Sequence, residues 1–167
     1  KHGYTVDAVT FDKALATVKR FAAKGAILSN EESFFSNYYK YLTLSFAHYV
    51  AALNGVTSEN QLKLVYSVMN SKYTDMIAGY AYLLKAVALY PDSNFKQSMT
   101  KMIAQKFFSA MRTESGYVYF KDVSDWGYFY YDDVIATSLI LQSLLETGVP
   151  FDNDYKVVNY LLKQRKG

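Results

Sequence analysis

The chain has 167 residues, 51% of them hydrophobic and 20% charged, which is ample apolar material for one packed domain and excludes a disordered chain. The formal charge of +3 is spread along the sequence without a Lys/Arg block larger than a solvated helix face, which argues against nucleic acid as a partner. There is no cysteine, so disulfides and thiolate chemistry are closed to it, and no segment reads as a signal peptide or a membrane span.

The predicted elements are helices almost throughout. The first runs from about Val9 to Lys24, with Phe11, Leu15, Val18 and Ala22 on one face and Gly25 as its stop. A second covers about Phe35 to Asn54, with Tyr39, Leu42, Phe46, Tyr49 and Leu53 as its core stripe and Asn54-Gly55 closing it. Ser58 followed by Gln61 is a capping box that opens a third helix reaching about Asn70. A fourth spans about Thr74 to Leu89 and stops before Pro91; a fifth runs from about Ser93 to Arg112. Residues 113–131 then read as a short β-ribbon or irregular segment, with Gly116 and Gly127 suited to turns. Asp132 is placed to cap a sixth helix reaching about Glu146 and ended by Gly148. Asp152 or Asn153 opens a seventh, through about Gln164.

Polarity alternates along this series. The first, third, fifth and seventh helices carry polar faces, whereas the second, fourth and sixth are apolar nearly all round, as in "TDMIAGYAYLLKAVALY" and "DVIATSLILQSLL". A helix that is apolar on all sides is buried on all sides, and short connections make successive helices antiparallel neighbours. The predicted fold is therefore all-α, an α/α toroid or an arc of one built from antiparallel helical hairpins, in a single domain over residues 1–167. The strings "YLLKAVALYPDSN" and "LILQSLLETGVPFDN" each leave an apolar helix and turn through Pro and Asp/Asn into a polar one, as repeated hairpins would.

Chemistry concentrates in "WGYFYYDD", residues 126–133. Asp132 and Asp133 are adjacent, so in a helix they point about 100 degrees apart and cannot flank one bond. A helix cap with a first-turn acid favoured by the helix dipole accounts for them better than acid–base catalysis. Trp126, Tyr128, Tyr130 and Tyr131, with Tyr117 and Tyr119, are candidates for a contact surface: against a neighbouring domain if the rings cover a barrel end, or against sugars if they stack on a ligand. Glycosidic hydrolysis would need two carboxylates facing one cleft, for which Asp75, Glu114 and Asp125 are candidates by composition alone. His48 lacks a second ligand three or four residues away and His2 is isolated, so no metal or other cofactor is expected. Ser29, Ser33 and Ser36 have no elbow glycines, and no phosphate-binding glycine loop is present. No catalytic residue is expected.

Particular strings add to this. Gly3, Tyr4 and Val6, then Lys13, Ala14 and Leu15 with the basic pair Lys19 and Arg20, form "GYTVDAVTFDKALATVKR". Downstream come "AHYVAAL" and a helix carrying Asp133 and Ala136, followed by one that ends Leu161, Leu162, Lys163, Gln164, Arg165. In this order they resemble the thioester-domain region of bacterial alpha-2-macroglobulins. The resemblance implies an α/α-toroid domain in a large secreted, periplasmic or cell-surface protein that traps proteases, with the parent's neighbouring domains as partners and proteases as its targets. It also implies a Cys-x-Glu-Gln thioester segment that this chain does not contain, so the chain would be roughly the first half to two thirds of the toroid, and a non-enzymatic one. A carbohydrate-active or carbohydrate-binding α/α-barrel is the alternative that the aromatic density leaves open.

Overall fold

The computed structural model describes residues 7–24, 34–72, 76–122 and 133–165. Over these residues the chain is mostly helical, with one small antiparallel sheet. The order is α1 (Ala8–Lys24), α2 (Phe34–Leu53), α3 (Glu59–Lys72), α4 (Ile77–Ala88), α5 (Asn94–Ala110), β1 (Met111–Glu114), β2 (Tyr117–Phe120), α6 (Asp133–Thr147) and α7 (Asp154–Gln164).

The helix ends follow local chemistry. Asp7 caps α1 by accepting from the Val9 and Thr10 amides at 3.0 and 3.1 Å. Ser58 and Gln61 form the predicted capping box: the Gln61 amide donates to Ser58 Oγ at 3.3 Å, and the Ser58 amide donates to Gln61 Oε1 at 2.9 Å. Ser93 caps α5 by accepting from the Lys96 amide. The ends of α2 and α6 share one device. Gly55 and Gly148 take positive φ (66° and 67°), and the residues after them, Val56 and Val149, donate back to the carbonyls of Ala51 and Leu144. No glycine ends α4; instead the ammonium of Lys96 reaches the carbonyls of Ala88 and Tyr90 at 2.8 and 3.0 Å.

Packing sorts the helices as their polarity predicts. The apolar helices α2, α4 and α6 lie side by side, with α4 in the middle and buried over nearly its whole circumference, from Ile77 to Val87. Polar helices cover this row: α1 lies on α2, α3 on α2 and α4, α5 on α4, and α7 on α6 and β2. The main core lies between the two layers. Leu62, Val65 and Met69 of α3 and Phe95, Met99, Ile103 and Phe107 of α5 meet Leu83, Leu84 and Val87 of α4 there. Each such fully buried side chain contributes about 1.5–3 kcal/mol. Gly79 lets α2 and α4 approach closely: a Cβ there would stand 2.8 Å from Met69 Cε and 3.9 Å from the Leu42 Cα.

Two expectations need correction. The ribbon occupies 111–120, beginning directly where α5 stops at Ala110, so α5 ends two residues before Arg112. The proposed core stripe of α2 holds only in part: Leu42 is buried and Tyr49 half-buried, and the Tyr39 side chain lies outside the described residues. Phe46 and Leu53 are 46% and 54% exposed, while Tyr41, Leu44, Ser45, Ala47, His48 and Ala51 are buried. A helix apolar all round offers two candidate stripes, and packing chose the one carrying small and polar residues, which permits the close approach at Gly79. The expected opening of α7 is met: Asn153 stands at its N-cap, without a side-chain bond, and Asp154 takes the Tyr155 amide at 2.7 Å.

Candidate functional site

The inner row has a second face, turned away from the outer layer. A small cluster lies there, Leu42, Ala78 and Ala136 with Tyr82 and Leu139 packed against it, all from α2, α4 and α6. Above it three rings gather. Phe46 meets Tyr82 edge-on with centroids 5.1 Å apart, and Tyr49 stacks beside Tyr82 at 6.3 Å. The spacing explains the gathering: Leu42, Phe46 and Tyr49 repeat at four and three residues on α2, and Ala78, Tyr82 and Lys85 do the same on α4.

Lys85 is the charge in the middle of this face and the one charged residue of α4. It is 7% exposed, a position that strongly disfavours an unpaired ammonium. Its Nζ bonds Glu146 Oε2 at 2.9 Å and lies 5.5 Å from the centre of the Tyr49 ring. Glu146 is half exposed and also accepts from the Gln142 amide at 2.7 Å. The Lys85 ammonium holds the Glu146 carboxyl below the ordinary carboxylate range, with the Gln142 bond adding to it. The face is thus aromatic and apolar, and its charge pair ties α4 to α6. It offers ring surfaces and one half-exposed carboxylate for contact.

At one end of the row a cleft of about 220 Å³ opens between the α2–α3 and α4–α5 turns, lined by Ala52, Gly55, Thr57, Leu89, Tyr90 and Pro91. The Tyr90 hydroxyl is buried and faces Thr57 without a well-formed hydrogen bond, and burial raises its pKa. Behind Thr57 sits His48, whose Nδ1 is 3.1 Å from the Thr57 hydroxyl. The lining holds no charged group, so the cleft favours a neutral or apolar occupant.

The residues singled out from sequence fall in three groups. Trp126, Tyr128, Tyr130, Tyr131, Asp132, Asp75, Asp125, His2, Ser29 and Ser33 lie outside the described residues, and Ser36 is described only as part of the α2 backbone. Asp133 opens α6, and its Oδ1 accepts from the Asp122 amide at 2.9 Å, fastening the exit of β2 to the helix start. On the ribbon, Glu114 accepts from the Tyr119 hydroxyl at 2.7 Å. Tyr119 also stacks on Tyr160 at 4.9 Å, and Lys163 sits 4.6 Å over Tyr117. The outward rings of the ribbon are therefore used to dock it on α7. Among the described residues no group of three or more His, Cys, Asp or Glu is placed to hold a metal ion, and no helix is long and apolar enough to cross a membrane. Lys85 and Glu146 were not singled out from sequence, although a lone lysine inside "IAGYAYLLKAVA" was the available signal.

No protein-family model matches the chain, and neither the curated proteins nor the solved structures compared with it yield a match.

Proposed function

We propose that the chain is a non-enzymatic helical domain of an alpha-2-macroglobulin-like protease inhibitor, an arc of an α/α toroid that carries no thioester cysteine of its own. The observation behind this reading is the regular alternation of layers, in which α2, α4 and α6 form an inner row and each is followed or covered by a polar outer helix. The strings that resemble the family lie on helices: "FDKALATVKR" in α1, "AHYVAAL" at the end of α2, Asp133 and Ala136 at the start of α6, and "LLKQ" at the end of α7. In this reading the domain acts by changing position. Cleavage elsewhere in the parent moves it, and its surfaces hold the neighbouring domains before and after. The parent would be secreted to the periplasm or cell surface.

The reading is tested on the parent protein. Its gene is expected to encode a long chain with β-rich domains and a Cys-x-Glu-Gln segment upstream of this region. Incubated with an endoprotease, the parent should block hydrolysis of a large protein substrate while leaving a small peptide substrate accessible, because trapping excludes by size. A short free-standing gene, or equal inhibition on both substrates, would overturn it.

A second reading has one observation in its favour. Phe46, Tyr49 and Tyr82 gather around a face bearing the Glu146 carboxylate and the Gln142 amide, which is chemistry that binds sugars by ring stacking and hydrogen bonds. Because Lys85 already neutralises Glu146, the arrangement favours binding over hydrolysis. A glycan array, with loss of signal in Tyr82→Ala, tests it; silence across the array counts against it.

A further inference from the structure

We propose that α7 is a self-docking helix, whose outer face packs antiparallel on the same face of a second copy of this chain. An apolar stripe, the charges at its two ends and their shared register carry this.

The helix holds the domain with one side and leaves the other side apolar. Val157 is buried, Leu161 packs against the main core, and Tyr160 stacks on Tyr119 of the ribbon. On the opposite side, Tyr155, Val158 and Leu162 are spaced by three and four residues, which sets them within about 60° of one another. They are 59%, 43% and 60% exposed. Just ahead of α7, Phe108 of α5 is 40% exposed and stacks on Phe151 at 6.1 Å, so apolar surface adjoins the stripe at that end. Exposed apolar residues that cluster in this way mark an interaction surface more than scattered ones do.

The charges are divided between the ends. Asp152 and Asp154 stand at the N-terminal end and Lys163 and Arg165 at the C-terminal end, all exposed. Among the described residues, Asp152, Asp154 and Arg165 have no ion-pair partner, and Lys163 rests over the Tyr117 ring. A helix acidic at one end and basic at the other repels a parallel copy and attracts an antiparallel one.

The register selects a second copy as the occupant. Asp154 and Arg165 are eleven residues apart, close to three full turns, so they lie on one flank of the stripe. Asp152 and Lys163 repeat that separation. Turning α7 end for end about the midpoint of Val158 and Asn159 sets Tyr155 against the partner's Leu162 and Val158 against the partner's Val158. The same rotation brings Asp154 within reach of the partner's Arg165. Two-fold symmetry makes each unlike contact twice. The apolar spacing and the charge spacing are separate features of the sequence, and one rotation satisfies both. The stripe is small beside the roughly 1,600 Å² that standard interfaces bury, so the dimer is weak; its charge pairs are exposed, so salt weakens it further.

The test is sedimentation equilibrium of the whole chain from micromolar to millimolar concentration, at low and high salt, with far-UV circular dichroism of each variant to confirm the fold. A monomer–dimer equilibrium that salt weakens is expected. Val158→Asp sets two carboxylates face to face at the symmetry axis and should abolish the dimer. Asp154→Lys and Arg165→Asp each create two like-charge contacts per dimer, and each should weaken it by roughly tenfold. An equimolar mixture of these two variants should regain the wild-type affinity, because every contact between positions 154 and 165 then joins opposite charges. A chain that stays monomeric throughout overturns the proposal and leaves the stripe to an unlike partner. A dimer that survives Val158→Asp, or a mixture no tighter than its components, overturns it as well. Should Asp154→Lys fray the helix start, where this carboxylate accepts the Tyr155 amide, Val158→Asp decides alone.

Discussion

Thr137 illustrates how single polar atoms hold this molecule together. It is fully buried on α6, and its hydroxyl accepts from the Phe120 amide at 3.0 Å and lies 3.4 Å from the Phe120 carbonyl. One side chain thus satisfies both backbone groups at the end of β2, which no third strand reaches. Thr137→Val keeps the shape and removes the hydroxyl, leaving a buried amide unpaired, and should cost about 1–3 kcal/mol in chemical denaturation. Thr137→Ser should recover most of that. The Lys85–Glu146 pair predicts an asymmetry. Removing Glu146 strands an ammonium that is 7% exposed, whereas removing Lys85 leaves a half-exposed carboxylate that water can solvate. Glu146→Ala should therefore destabilise by about 1–3 kcal/mol, less than for a fully buried pair, while Lys85→Met is near neutral. The pH dependence has the usual carboxylate sign. The Glu146 pKa is lowered in the fold, so its contribution is present above its ordinary value of 4.5 and is lost as pH falls through the folded value. Urea titrations of wild type and Lys85→Met should therefore nearly coincide at pH 7 and separate towards pH 3, where wild type loses the pair's contribution and the variant has none to lose. Parallel curves would show that the pair does not contribute.

At the scale of elements, the ribbon shows what local sequence determines and what it leaves to packing. Residues Ser115 and Gly116 link the Glu114–Tyr117 pair with φ of 45° and 84°, and positive φ at both central positions is the mark of a type I′ turn. Gly116 was legible as a turn residue because glycine alone adopts that conformation freely. Serine at the first position is a poor choice, so Ser115→Asn should raise stability by a few tenths of a kcal/mol and Gly116→Ala should lower it by about 1 kcal/mol. Both are readable as shifts in thermal midpoint. The alternation of β2 was legible too: Val118 and Phe120 point inward, Tyr117 and Tyr119 outward. The partners of the outward rings on α7 were not, because Tyr160 and Lys163 are some forty residues distant and only tertiary packing brings them near. Helix α2 marks the same limit in sharper form. Periodicity proposed Tyr39, Leu42, Phe46, Tyr49 and Leu53 as its core; Leu42 is buried but Phe46 and Leu53 are exposed, because in a helix apolar on every side periodicity no longer distinguishes faces. Leu44→Ala, at the buried stripe, should cost about 2–5 kcal/mol; Phe46→Ser, on the open face, should cost under about 1 kcal/mol.

For the whole molecule, the two-layer arrangement predicts where stability resides. The middle helix α4 contacts α2, α3, α5 and α6, so exposing it requires nearly every other element to separate. At the periphery, α1 and α7 bury little: Ala22 in one, Val157 in the other, with Tyr155, Val158 and Leu162 of α7 facing solvent at 59%, 43% and 60% exposure. This gradient follows from polarity that was legible in the sequence, since the helices read as apolar all round are the central row and those with charged faces lie outside. The inner face was not legible as a site, because the cluster of Phe46, Tyr49, Tyr82, Lys85 and Glu146 comes from three helices whose registers are set by packing at Gly79 and by the ion pair itself. Native-state hydrogen exchange measures the gradient directly. Amides of α4 should exchange only through global unfolding, those of α2 and α6 next, and those of α1 and α7 by local opening several kcal/mol below the global value. If α1 and α4 exchanged with the same free energy and the same denaturant dependence, the molecule would unfold as one unit. The outer helices would then be as firmly integrated as the row they cover.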